Sequence, residues 1–346
     1  MNRLFILIMK FIKLKKENMN KLFSPLFIGF ILIGCHPPKQ NNQSIETADI
    51  SIEIPDFDAD SAYVFLVKQV EFTPRVPNTK AHKDCAAFLI NTLGRFADTV
   101  ISQPITAKAY NGTLLNGQNI VGVFNPEARR RILLAAHWDS RPYADHDPDP
   151  ANRRTPIDGA NDGASGVAVL LEVARQLRLN PVETGIDIVF FDLEDYGAPE
   201  DERTRGGEDF WCLGAQAWAK NPHVKNYQAQ YGILLDMVGG KGAQFSKEAI
   251  SMEYAPDIVE KVWYRAKLLG FDSYFLNKTT SQILDDHWYI NTRTNIPMID
   301  IIEYEANSNT GFNQHWHTLS DNFDNIDKET LSVVGKVMLS VLRSEK

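Results

Sequence analysis

The 346-residue chain carries only three cysteines, Cys35, Cys85 and Cys212, too few for a disulfide scaffold. It has no excess of positive charge either, since 36 Lys and Arg against 44 Asp and Glu leave a net charge of −8. No basic patch interrupts the body of the chain, which argues against nucleic acid as a partner. Long apolar runs are scarce. The run near the N-terminus, Leu22 to Ile33, is too short to span a bilayer comfortably and is interrupted by Pro25. No internal repeat and no interior linker divides the rest. What is present is a globular composition, 44% hydrophobic and 23% charged. The length suits one large α/β domain or two smaller ones.

Lys10, Lys13, Lys15, Lys16 and Lys21 precede the apolar run, which is the layout of a secretory signal. The run closes on Leu32-Ile33-Gly34-Cys35, which resembles a bacterial lipobox. In such signals the cysteine is lipidated and becomes the mature N-terminus. The stretch from Met19 is a complete signal by itself, which makes Met19 an alternative start. Residues 1–35 are therefore expected to be a signal peptide with lipobox, 36–49 a polar linker and 50–346 a single catalytic domain. A lipid on Cys35 would tether that domain to a membrane in the periplasm or cell envelope. This location permits a Cys85–Cys212 disulfide, although nothing in the sequence brings the two together.

Ile188-Val189-Phe190-Phe191 is a continuous apolar run, the pattern of a strand buried on both faces of a sheet. It exits into Asp192, Glu194 and Asp195. The carboxyl end of such a strand is where open α/β sheets place ligands. A single acidic exit is more often just a solvated loop, but other stretches repeat the plan. Arg131 to Ala136 leads into His137-Trp138-Asp139-Ser140, and Gly232 to Leu235 leads into Asp236. The glycine-rich run Asp158 to Gly166 opens a helix with the apolar stripe Val167, Leu170, Leu171, Ala174 and Leu177, which sets Asp162 near a helix N-terminus.

Apolar spacing predicts further helices over residues 58–72, 78–93, 213–219, 255–269 and 328–342. Strands are predicted over 99–110, 119–124 and 297–302, the first two separated by Asn111-Gly112 and Asn116-Gly117 turn signals. Alternation of strands and helices from residue 131 onward predicts an α/β fold. Its central sheet should be mixed and mostly parallel, with helices on both faces and an antiparallel hairpin at the edge. Asp145, Asp147 and Asp149 lack a calcium-loop signature and read as a solvated rim. His146 and His315 also read as solvated.

His137, Asp162, Glu194-Asp195, Asp236 and His317 supply the imidazole and carboxylate groups that suit Zn²⁺. Catalytic zinc sites keep three protein ligands and one open position. Adjacent side chains diverge, so a Glu-Asp pair can place one acid on the metal and one on the substrate. His137 to Ser140, Gly159 to Gly166 and Phe190 to Asp195 resemble the zinc aminopeptidase superfamily M28. Within it, Leu234-Leu235-Asp236, Asp285-Asp286-His287 and Trp316-His317-Thr318 with Ser320-Asp321-Asn322 look like glutaminyl cyclases. Those enzymes convert N-terminal glutamine into pyroglutamate. The likeness runs from Pro74 to the C-terminal helix.

Carried over position by position, the resemblance implies a zinc-aminopeptidase-like fold and one zinc on Asp162, Asp195 and His317. It implies Glu194 as general acid and base, Asp236 and Asp285 as carboxylates holding the reacting groups, and Trp316 and Phe312 as pocket walls. The implied substrates are peptides or proteins with N-terminal glutamine. Asp195 stands where animal members have glutamate, and Leu284 where they have a polar residue. The loop after Tyr196 also differs, which leaves Trp211 an open candidate for a further pocket wall. Asp139 is expected to support His137 by a hydrogen bond. The rival reading is a dinuclear zinc aminopeptidase whose second metal uses His137, Asp236 and a bridging Asp162. Asp285 and the Trp316-His317 pair favour the cyclase. A non-catalytic binding module would lack a base or a ligand, and none is missing.

Overall fold

In the computed structural model, which describes residues 55–203 and 209–345, the apolar runs form strands and the periodic stretches form helices. The chain passes through α1 (Ala59–Val70), α2 (Lys80–Leu93), β1 (Thr99–Lys108), β2 (Leu114–Phe124) and β3 (Arg131–His137). Then come α3 (Ala164–Leu179), β4 (Gly185–Phe191), α4 (Leu213–Lys220) and β5 (Tyr231–Asp236). A short parallel pair, β6 (Phe245–Lys247) and β7 (Phe275–Thr279), flanks α5 (Ala249–Tyr254) and α6 (Pro256–Leu268). α7 (Asp286–Arg293), β8 (Met298–Ile302) and α8 (Lys328–Ser344) follow.

Six strands form one sheet in the order β1-β2-β4-β3-β5-β8. β4, β3, β5 and β8 run parallel, and the β1-β2 hairpin adds the antiparallel edge. This is the mixed, mostly parallel sheet that the sequence pattern implies. β4 and β5 are buried along their whole length because helices cover both faces. Ile188, Phe190, Ile233 and Leu235 face a core completed by α1, α2, α3, α6 and α8. Val189, Phe191 and Leu234 point the other way, toward α4 and α7. Cys85 belongs to the first core and Cys212 to the second, so the sheet separates them and both are free thiols.

One expectation changes. Asn116-Gly117 makes no turn but lies inside β2, and the reversal belongs to Asn111-Gly112, where Gly112 takes a φ of 84°. Gly117 serves a close approach instead, since a Cβ there would stand 2.6 Å from Asp192 Oδ2. β6, β7 and α5, of three, five and six residues, escape periodicity because none is long enough to show a pattern. The signal, Cys35 and the linker to residue 49 lie outside the described residues. Among the described residues, no helix is long and apolar enough to cross a membrane.

Candidate active site

β3 lies between β4 and β5, so the residues leaving their carboxyl ends are neighbours. The turn after β4 is held by Asp192. Its buried carboxylate accepts the Gln118 amide at 2.7 Å and the Leu193 amide at 2.8 Å, and faces His82 Nε2 at 2.8 Å. Leu193 then takes a left-handed φ of 59°, which bends the chain sharply. Just beyond the bend, Asp139 accepts the Glu194 and Asp195 amides at 3.1 and 3.2 Å. The expected hydrogen bond between His137 and Asp139 is not formed, since His137 Nδ1 stands 3.7 Å from Asp139 Oδ1. Two buried backbone donors in a turn need an acceptor, and Asp139 supplies it.

Beyond this turn the Glu194 and Asp195 side chains part. Asp195 Oδ1 and Asp162 Oδ2 each lie 3.5 Å from His317 Nε2. Asp162 sits just ahead of α3, its amide held by Asp321 Oδ2 at 3.1 Å. Gly163, at φ 106°, allows this approach, because a Cβ would come within 2.4 Å of the Asp139 carbonyl. One ligand atom from each of Asp162, Asp195 and His317 falls within 4.8 Å of the others, and all three residues are buried. Asp195 Oδ2 has no hydrogen-bond partner. Two buried carboxylates converging around an unpartnered oxygen need a cation, and one nitrogen with two oxygens is a donor set that fits zinc.

His137, Asp162 and Asp236 form a second convergent group. His137 Nε2 lies 3.1 Å from Asp162 Oδ1 and 3.2 Å from Asp236 Oδ1. Burial raises Asp236 to about 7 against the pull of His137, with Asp285 and Asp162 adding repulsion.

Glu194 turns the other way. Its Oε1 lies 3.2 Å from the Cys212 thiol, which stands 4.0 Å from Asp285 Oδ1. Asp285 occupies the N-cap of α7 and accepts the Asp286 amide. Burial pushes the Glu194 carboxyl well above its usual range, with Asp195, Asp285 and Asp286 adding repulsion and His137 opposing it. Asp285 is raised by burial as well.

A cavity of about 1090 Å³ opens over these groups and is lined by Asp162, Glu194, Asp195, Asp236, Asp285, Phe312, Trp316 and His317. His137 and Asp139 are buried behind them. Trp316 stacks on the His317 ring at 3.7 Å between centroids, and Phe312 packs on Trp316 at 4.6 Å. Trp211 also lines the cavity, its ring parallel to that of His317 at 6.4 Å. Leu284 lines it too and is 68% exposed.

The loop expected as a solvated rim is exposed at Asp149 but buried nearer the site. Asp145 and Asp147 are buried, Asp145 against Arg141, and His146 packs on Trp316 at 4.5 Å. His315 is half-buried, with Nδ1 2.8 Å from Ser320 Oγ. Irregular loops carry no periodicity, so burial there leaves no trace in the sequence. Cys212 and His82 were likewise not legible as parts of the site, because only the fold brings them to Glu194 and Asp192. Arg141, although it directly follows His137 to Ser140, was missed because nothing in the sequence pairs it with Asp145 or Asp195.

A sequence profile of peptidase family M28 matches residues 119–342. Among solved structures, a Zn-dependent exopeptidase from Parabacteroides distasonis is 55% identical, with a TM-score of 0.83, covering 85% of this chain and all of that one. A glutaminyl cyclase from Tannerella forsythia is 54% identical, also with a TM-score of 0.83, covering 84% of this chain and all of that one. The glutaminyl-peptide cyclotransferase of Gloydius blomhoffii is 26% identical over 248 residues, 64% of this chain. The match spans 63% of the length of that curated relative.

Proposed function

The chain belongs to peptidase family M28, and from that premise and the site's geometry we propose that it is a zinc-dependent glutaminyl-peptide cyclotransferase. Its substrates are peptides or proteins with N-terminal glutamine, and its products pyroglutamyl peptides and ammonia. The observation that carries the proposal is the pairing of Glu194 with Asp285 around Cys212, beside the Asp162–Asp195–His317 group. A hydrolase needs one base to activate water. A cyclising enzyme must hold an amine and a carboxamide nitrogen together, and several neighbouring acids with raised pKa values suit that work. The likeness to the Tannerella forsythia glutaminyl cyclase over all of that chain supports the same reading.

Asp162, Asp195 and His317 would hold the zinc, which when bound supplies Lewis-acid polarisation of the substrate carboxamide. The α-amine attacks the γ-carboxamide carbon, forming the ring C–N bond and releasing ammonia. Glu194 takes a proton from the attacking nitrogen and returns it to the departing one. Asp236 and Asp285 hold the amine and the leaving amide by hydrogen bonds. Trp316 and Phe312 wall the pocket and keep the side chain folded, so that nucleophile and electrophile meet within one residue.

A dinuclear aminopeptidase is the second reading, favoured by the convergence of His137, Asp162 and Asp236 and by the likeness to the Zn-dependent exopeptidase. Direct contact of His137 with both carboxylates provides a charge-satisfied alternative to a second ion. Assaying the purified protein with Gln-peptides and Leu-peptides, with and without a chelator, separates the two. Chelator-sensitive ammonia release from Gln-peptides supports the cyclase, and release of free amino acids without ammonia defeats it. We further propose that a lipid on Cys35 holds the enzyme at the cell envelope, a reading supported by Leu32-Ile33-Gly34-Cys35.

A further inference from the structure

Arg141 and Asp145 lie in the loop between β3 and α3, are both buried, and are absent from the cavity wall. Arg141 grips Asp145 with two parallel bonds, Nε to Oδ1 at 2.8 Å and Nη2 to Oδ2 at 2.6 Å. Its Nη1 reaches the other way to Asp195, donating to the carbonyl at 3.1 Å and to Oδ1 at 3.3 Å. The Trp211 ring covers the guanidinium at 4.7 Å. Asp145 Oδ1 in turn faces His317 Nδ1 at 3.3 Å, and that buried nitrogen has no hydrogen-bond partner. The opposite ring nitrogen, Nε2, faces Asp162 and Asp195.

A neutral imidazole carries one N–H and one lone pair, and the partner of one nitrogen decides the role of the other. A buried ion pair is costly to desolvate and contributes little to stability by itself, so its placement asks for another explanation. One guanidinium here touches Asp195 directly and His317 through Asp145.

We propose that Arg141 and Asp145 are positioning residues for the metal site. Asp145 takes the Nδ1–H of His317, which leaves the Nε2 lone pair aimed between Asp162 and Asp195. Arg141 fixes the spacing of two ligands that arise from distant parts of the chain. Lysine would keep the charge but lacks the planar fork that spans both carboxylates. This inference rests on the zinc reading above.

The test is zinc affinity, measured by competition with a chromophoric chelator on the folded full-length protein. Asp145→Asn and Arg141→Lys should each bind zinc about 10- to 100-fold more weakly than the wild type. The paired replacement Arg141→Met with Asp145→Leu removes the ion pair while keeping its volume. It should fold and show the same loss, which a merely structural pair would not. Unfolding midpoints of the zinc-free proteins identify which variants are folded. ¹⁵N-histidine NMR of the zinc-loaded wild type should show the proton of His317 on Nδ1, a readout independent of every substitution at Arg141 and Asp145. Unchanged zinc affinity in any folded variant, or a His317 proton on Nε2, overturns the inference. Failure of the wild type itself to take up zinc defeats the zinc reading instead.

Discussion

Glu194 and Asp195 are adjacent, yet their surroundings differ in kind. Asp195 meets a cationic neighbour, Arg141, and an imidazole, whereas Glu194 meets a thiol and the acids of α7. Glu194→Gln keeps the shape and removes the titrating oxygen. It should lower kcat for ammonia release by about 10²- to 10⁴-fold while retaining the zinc. Metal analysis alongside the assay checks both halves, and full activity in this variant would exclude Glu194 as the base. Cys212 donates to the same carboxylate from a left-handed φ of 53°. Loss of one such hydrogen bond amounts to about 1 kcal/mol, so Cys212→Ala should lower kcat roughly fivefold with KM unchanged. Cys212→Ser, measured in parallel, should recover much of the loss. Glu194 and Asp195 could be read from the sequence because they follow an apolar strand. Cys212 could not, since its partner lies 18 positions earlier and only the fold joins them.

At the scale of elements, the site depends on how closely α3 lies on the sheet. Gly166, in the first turn of α3, packs against β5 so tightly that a Cβ would stand 2.2 Å from the Leu235 carbonyl. Backbone cannot yield as a flexible side chain does, so Gly166→Ala should cost about 1–3 kcal/mol of stability in urea unfolding. An unchanged midpoint would show that α3 has slack. Because Asp162 precedes the same helix, zinc affinity should fall too. Strand order could not be read from the chain, and it is the placement of β3 between β4 and β5 that joins His137, the Glu194 turn and Asp236. Helix and strand types were legible where the segments are long. The three-residue β6 and the buried loop around Asp145 were not, because short or irregular segments carry no periodic signal.

For the whole molecule, the zinc reading ties stability to metal. A ligand at about 100 times its Kd adds roughly 2.7 kcal/mol to folding. Chelation should therefore lower the thermal midpoint and zinc should restore it, whereas an unchanged midpoint would argue that the Asp162–Asp195–His317 group stays empty. Cys35→Ser should move the protein from the membrane fraction to the soluble fraction, as followed by immunoblot of the cell envelope. The overall architecture was the most legible feature, since alternating strands and helices constrain an α/β sheet strongly. The chemistry is harder to separate, because a cyclase and an aminopeptidase can share His137, Asp162, Glu194 and Asp236. The most direct measurement follows a Gln-peptide by mass spectrometry and ammonia release with the zinc-loaded enzyme. The expected result is one ammonia lost per peptide, a blocked N-terminus and no free glutamine. Free glutamine with a shortened peptide and no ammonia would contradict it.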